Sequence, residues 1–144
     1  MSFRIEHTAL SVANLERSIS FYCDLIGFEV LQIIESPKEG RLGEVVSIPG
    51  CSARLALLQL GGRVLELFEY LEPKGKPISQ SETQADKGFS HLCFATDDVW
   101  ADYEKLKQKG VRFYNKPIEI RPGVTVVYLY GPDNETCELR QANI

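Results

Sequence analysis

Residues 7–15 read His7-Thr-Ala-Leu-Ser-Val-Ala-Asn-Leu15, and residues 91–99 read His91-Leu-Cys-Phe-Ala-Thr-Asp-Asp-Val99. In both, a histidine stands in a run of alternating side chains. Seven residues after it comes a short polar residue, Asn14 or Asp98, followed by an aliphatic one. Alternation at period two predicts a strand, here over residues 4–12 and 89–96. His7, Ala9 and Ser11 then share one face, with Thr8, Leu10 and Val12 on the other. Asn14 and either Asp97 or Asp98 are expected to cap helices.

Working outward, the two plans continue in parallel. Leu15, Ile19, Tyr22 and Ile26 fall at helical spacing, and Gly27 ends that helix. In the second half Val99, Tyr103 and Leu106 do the same before Gly110. Strands are expected at 28–34, 53–60 and 64–70, the last two joined by Gly61-Gly62, a tight-hairpin dipeptide. The region from Pro37 to Gly43 reads as loop. The second half gives strands at 111–114, 124–130 and 136–140, with a turn at Gly131-Pro132-Asp133-Asn134. The polar stretch 71–87, with Pro73, Gly75 and Pro77, reads as a linker. The expectation is one α+β domain, 1–144, built from two tandem βαβββ modules, 1–70 and 88–144. Each four-stranded sheet is too small to bury its own face. Pairing two of them, within the chain or across a dimer, would close a cleft between them.

Each half ends in a strand with a Glu-Leu pair, Glu66-Leu67 and Glu138-Leu139. The chain has only two histidines, and both fall at the same point of the repeat. A single histidine on a strand is ordinarily a packed or surface residue. Glu66 is different, because it lies within Val64-Leu65-Glu66-Leu67-Phe68, where an unpaired carboxylate on an interior face would be costly. Two imidazoles and two carboxylates at matched positions form a mixed N/O donor set that suits Zn, Ni, Co, Mn or Fe(II).

These residues resemble the vicinal-oxygen-chelate superfamily, which includes glyoxalase I, methylmalonyl-CoA epimerase, bleomycin-resistance proteins and extradiol dioxygenases. The resemblance rests on His7-Thr-Ala-Leu-Ser-Val12, the run from Asn14 to Tyr22 with Gly27-Phe28, Leu65-Glu66-Leu67, His91-Leu-Cys-Phe94 with Asp98-Val99, and Gly131-Pro-Asp-Asn134 with Glu138-Leu139. It spans nearly the whole chain. It implies paired βαβββ modules with a U-shaped cleft in which His7, Glu66, His91 and Glu138 hold one divalent ion that takes two adjacent substrate oxygens. Four ligands point to a lyase or isomerase that moves a proton α to a carbonyl, with Glu138 as base and Glu66 as ligand and partner acid. The alternatives are an Fe(II) dioxygenase, which uses two histidines and one carboxylate, and a ligand- or antibiotic-binding protein that catalyses nothing. The resemblance also implies a homodimer. Ser11 stands where bacterial glyoxalase I typically has an arginine, which weighs against glutathione. The Gly131–Asn134 turn departs from that of the epimerases.

Further substrate-contact candidates are Cys93, on the His91 face, Tyr128, on a neighbouring strand, and Arg121, a loop cation suited to an anionic group. Core packing is the more ordinary role for the first two, and an exposed surface position for Arg121. Glu44 is a reserve acid–base candidate in the first loop. Lys74 and Lys76 read as solvated.

Composition limits the rest. The chain has 144 residues, 44% apolar and 25% charged, with net charge −4. Those values exclude disorder. With no basic stripe, neither nucleic acid nor an anionic membrane is an expected partner. No apolar run reaches membrane-span length and no leader-type core opens the chain. The four cysteines contain no C-x-x-C pair, so free thiols in the cytoplasm are expected.

Overall fold

The computed structural model describes residues 2–143. It is an α+β fold of two tandem βαβββ units, each with a four-stranded mixed sheet. The compact units divide between Pro77 and Ile78.

The first unit runs β1 (His7–Ser11), α1 (Leu15–Ile19), β2 (Glu29–Ser36), α2 (Leu42–Val45), β3 (Ser52–Leu60) and β4 (Arg63–Glu72). α1 continues directly into a π-helical segment, Ser20–Ile26. The sheet order is β1-β4-β3-β2, with β1 parallel to β4 and the other pairs antiparallel. Gly61 and Gly62 take φ of 56° and 74° in the β3–β4 turn. That left-handed pair matches the twist of a two-residue hairpin and is open to glycine at little cost.

Asn14 caps α1 as expected, its Oδ1 accepting from the Arg17 amide at 2.8 Å. The Leu15 amide donates instead to Glu69 Oε2 on β4, at 3.0 Å. This contact sets the faces of β4. Leu65, Leu67 and Glu69 look toward α1, and Glu66, Phe68 and Tyr70 look away, with the Phe68 and Tyr70 rings stacked 5.6 Å apart. Leu15, Tyr22, Ala56, Leu58, Leu65 and Leu67 are buried and form this unit's core.

The second unit runs β5 (Leu92–Ala95), α3 (Val99–Gln108), β6 (Ile118–Arg121), β7 (Val124–Tyr130) and β8 (Thr136–Ala142), in the order β5-β8-β7-β6. Asp98 is the cap, with Oδ1 2.9 Å from the Ala101 amide. The Val99 amide donates to Gln141 Oε1 at 2.9 Å. Cys137, Leu139 and Gln141 thus face α3, and Glu138 and Arg140 face away. Val99, Tyr103, Leu106, Val127, Leu129, Cys137 and Leu139 are buried.

Several elements differ from the sequence expectation. β1 starts at His7 rather than at residue 4, and β5 covers four residues rather than 89–96. The expected strand at 111–114 is reduced to a bridge between Phe113 and Leu129. Tyr114 N donates to Tyr128 O and Tyr130 N to Arg112 O, both at 2.9 Å. The pairing lapses at Asn115–Pro117, where Pro117 brings no amide hydrogen, and resumes as β6. Arg121 is therefore the last residue of a strand, not part of a loop. The first loop contains the short helix α2, in which Glu44 pairs with Arg41 Nη2 at 2.9 Å on an exposed surface. Residues 73–91 hold neither helix nor strand. Among the described residues, no helix is long and apolar enough to cross a membrane.

Candidate functional site

Parallel pairing places Ala9 beside Glu66, and antiparallel pairing places Leu57 on its other side. Glu66 therefore lies on the sheet face away from α1, among small and apolar neighbours. His7, two residues before Ala9, is on the same face. Its Nε2 lies 2.9 Å from Glu66 Oε2, and the glutamate side chain is only 14% exposed. The carboxylate that the sequence leaves without a partner thus has one. On the other ring nitrogen, Nδ1 meets the carboxylate of Glu6. Carboxylates beside both ring nitrogens favour the protonated form of the ring. The His7 pKa is accordingly raised, chiefly by the Glu6 hydrogen bond, with burial opposing and the Glu66 charge adding.

The second unit repeats the pair. His91 Nε2 lies 2.9 Å from Glu138 Oε2, and the Glu138 side chain is 11% exposed. Ser90 Oγ lies 2.8 Å from Nδ1 and can serve as donor or acceptor. Cys93 stands beside Glu138 on β5 and Tyr128 opposite it on β7. The Tyr128 ring lies against the His91 imidazole, centroids 5.0 Å apart. The Cys93 thiol is pushed up to about 11, first by burial and then by the charge and hydrogen bonding of Glu138. It is thus a thiol at neutral pH, not a nucleophilic thiolate. Tyr128 is raised as well, by burial first and then by Glu138.

The structure therefore brings His7 to Glu66, and His91 to Glu138, Cys93 and Tyr128. Arg121 stands apart. It pairs with Val124, four residues along β7 from Tyr128, roughly 13 Å of strand. Among the described residues, no group of three or more His, Cys, Asp or Glu side chains forms a ready cluster for a metal ion. Each unit offers two donors, one nitrogen and one oxygen, in contact with each other. That donor chemistry fits a divalent ion of the borderline type, and an oxygen partner on each Nδ1 suits Nε2 as the ligating atom. Sequence reading missed both Nδ1 partners. Glu6 and Ser90 each immediately precede the histidine, but strand alternation would point adjacent side chains apart. They reach Nδ1 because residues 2–6 and 86–91 lie outside the strands.

A family model for the Glyoxalase/Bleomycin resistance protein/Dioxygenase superfamily matches residues 4–139, and the chain belongs to that family. The human mitochondrial methylmalonyl-CoA epimerase is 30% identical over 146 residues, covering 96% of this chain and 74% of the relative. A probable lactoylglutathione lyase of Synechocystis is 25% identical over 142 residues, covering 95% and 94%. A glyoxalase family protein of Bacillus cereus matches in structure with a TM-score of 0.88 over 99% of this chain and 95% of its own. Its 17% identity makes that a likeness of fold.

Proposed function

We propose that the chain is a divalent-metal-dependent isomerase or lyase of the glyoxalase I or methylmalonyl-CoA epimerase type, removing a proton α to a carbonyl. The observation that carries this reading is the repetition, in both units, of a histidine Nε2 held 2.9 Å from a glutamate oxygen. Together His7, Glu66, His91 and Glu138 would hold one Zn, Ni, Co, Mn or Fe(II) ion, in a U-shaped cleft completed within one chain or across a homodimer. When bound, the ion would take two adjacent oxygens of a small substrate and make the α-hydrogen acidic. Two carboxylates, rather than the single one of a two-histidine Fe(II) triad, favour proton transfer over oxygen chemistry. The names of the human and Synechocystis relatives, an epimerase and a probable lyase, point the same way.

The chain's own residues supply the remainder. Glu138 takes the α-proton as general base. Its carboxylate is largely shielded from water, and Cys93 and Tyr128 flank it as neutral groups. Tyr128 also holds the His91 ring in place. Glu66 is the second carboxylate ligand and partner acid, flanked on its sheet by Leu57 and Ala9. All four cysteines are free, which suits the reducing cytoplasm.

The test is metal content of protein purified without added metal, beside His7→Ala and His91→Ala. A single ion per chain, lost in both variants, supports the site. No ion in the parent protein after reconstitution would leave a metal-free ligand-binding protein of the same fold.

A further inference from the structure

The His–Glu pair, the capping residue, and the strand residue that receives the first helical amide recur in both halves. One group does not recur. Tyr128 lies opposite Glu138 and Tyr130 opposite Thr136. The matching positions of the first unit hold Leu57, opposite Glu66, and Gln59, opposite Val64. Tyr114, whose amide bonds the Tyr128 carbonyl, completes a trio of tyrosines. Gln32 occupies that place beside Leu57 in the first unit. The first unit thus keeps the same strand plan without the three rings.

The rings form a continuous track. From His91 the first step is to Tyr128, at 5.0 Å. Tyr114 meets Tyr128 edge-on at 5.7 Å and stacks on Tyr130 at 4.6 Å, with planes 18° apart. The Arg112 guanidinium lies over Tyr130 at 4.6 Å and ends the track. Two polar contacts fix it in place: Tyr114 OH lies 2.8 Å from Thr136 Oγ1, and Arg112 donates to Asn134 Oδ1. The track is not core. Tyr114 is 37% exposed, whereas the core residue Tyr103 is 5% exposed.

We infer that Tyr114, Tyr128, Tyr130 and Arg112 form a subsite for a planar aromatic or conjugated ligand body carrying an anionic group. The flat body packs on the exposed surface of Tyr114, at the head of the Tyr130–Arg112 stack, and the anion meets the guanidinium. Rigid, pre-positioned aromatic faces favour flat partners over flexible alkyl chains, because little ordering is lost on contact. A guanidinium presents several donors in one plane, suited to a carboxylate or phosphate. The inference rests on the proposed reaction only in taking His91 and Glu138 as the reacting end of the same site.

The experiment is titration with 2-naphthoate, its neutral isostere 2-naphthamide and the non-planar cyclohexanecarboxylate, followed by amide chemical shifts in metal-free and metal-loaded protein. The expected result is naphthoate binding that shifts the amides of 112–114 and 128–130. The other two probes should bind roughly tenfold more weakly. Tyr114→Leu should weaken naphthoate by about tenfold, while Tyr114→Phe, which keeps the ring, holds it within about threefold. Arg112→Gln should reduce naphthoate to the level of the amide. Naphthoate shifts centred elsewhere overturn the subsite, as does affinity unchanged in Arg112→Gln. Should Tyr114→Leu fail to fold, Tyr114→Phe and Arg112→Gln still decide the matter. Naphthoate binding without metal uptake keeps the subsite and removes the metalloenzyme reading. Metal uptake without naphthoate binding does the reverse.

Discussion

Glu69 Oε2 accepts the amide hydrogen of Leu15 at 3.0 Å, so the start of α1 is closed from a strand as well as from its own cap. Gln141 does the same for Val99. Each lies three residues after the glutamate of its His–Glu pair, and therefore on the opposite face of the same strand. The last strand of each unit thus anchors the helix with one face and presents a site carboxylate on the other.

The first prediction follows from that contact. Removing the acceptor leaves a helical amide without a partner, so Glu69→Ala should lower stability by about 1 kcal/mol. Glu69→Gln should be nearly neutral, because Gln141 performs the same task uncharged. Glu69 also lies 3.8 Å from Arg54, but Arg54 is already engaged by Glu16 and Glu35, and loosely paired ions contribute little. Urea unfolding midpoints measure both variants. An equal loss in the two would make charge, not the hydrogen bond, the operative quantity.

A second prediction concerns the β7–β8 turn. A Cβ on Gly131 would lie 2.2 Å from a Glu135 carboxylate oxygen. That carboxylate is folded inward and accepts the Asp133 amide at 2.8 Å. Gly131→Ala should displace it and cost about 1–2 kcal/mol. In a Glu135→Ala background the same change should cost almost nothing, so a double-mutant cycle should give coupling of about 1–2 kcal/mol. Additive losses would place the strain in the backbone instead.

The repeat was legible because it is written twice with one interval: a histidine, then a cap seven residues on, and a Glu-Leu pair on the last strand. Hydrophobic alternation and glycine-rich turns set most element limits. The misreadings have local causes. Val111 to Tyr114 has strand composition, but Pro117 divides the pairing, and the longer ladder forms at Ile118–Arg121. The helix at Leu42–Val45 is a single turn, too short to show a period. Glu69, Gln141, Glu6 and Ser90 were invisible because their partners are either distant in sequence or set by backbone leaving the strand. The tyrosine track lay in plain composition, yet only the cross-strand register joins Tyr114 to Tyr128 and Tyr130.

The third prediction is a pH dependence. Burial and Glu138 hold the Cys93 thiol up to about 11. A raised thiol pKa keeps the proton on, so thiolate is scarce below that value and increases with pH up to it. At pH 8, iodoacetamide should modify Cys93 on the order of 100-fold more slowly than an unperturbed thiol of pKa about 8.5, and the rate should climb toward pH 11. Glu138→Gln removes a neighbouring charge and should accelerate the reaction. Peptide mapping separates Cys93 from Cys23, Cys51 and Cys137. Rapid labelling of Cys93 at pH 7.5 would show that the thiol is not held up, and an unchanged rate in Glu138→Gln that the carboxylate has no part in it.

The last prediction assigns the base. Glutamine has the size of glutamate and can still accept from His91, so Glu138→Gln should fold like the parent. It cannot take up a proton at neutral pH, so α-proton exchange should fall by roughly 100- to 10,000-fold. The assay is deuterium incorporation into a panel of α-hydroxy-thioesters, acyl-CoA thioesters and keto acids, with Ni, Co, Mn and Zn each supplied in turn. Glu66→Gln serves as comparison. Its carboxylate lies beside Leu57 and Ala9 rather than Tyr128 and Cys93, so it should weaken metal retention more than exchange at saturating metal. If Glu66→Gln abolishes exchange and Glu138→Gln does not, the base belongs to the first unit. Equal loss of exchange with metal still retained would mean that the two carboxylates act as one coupled pair.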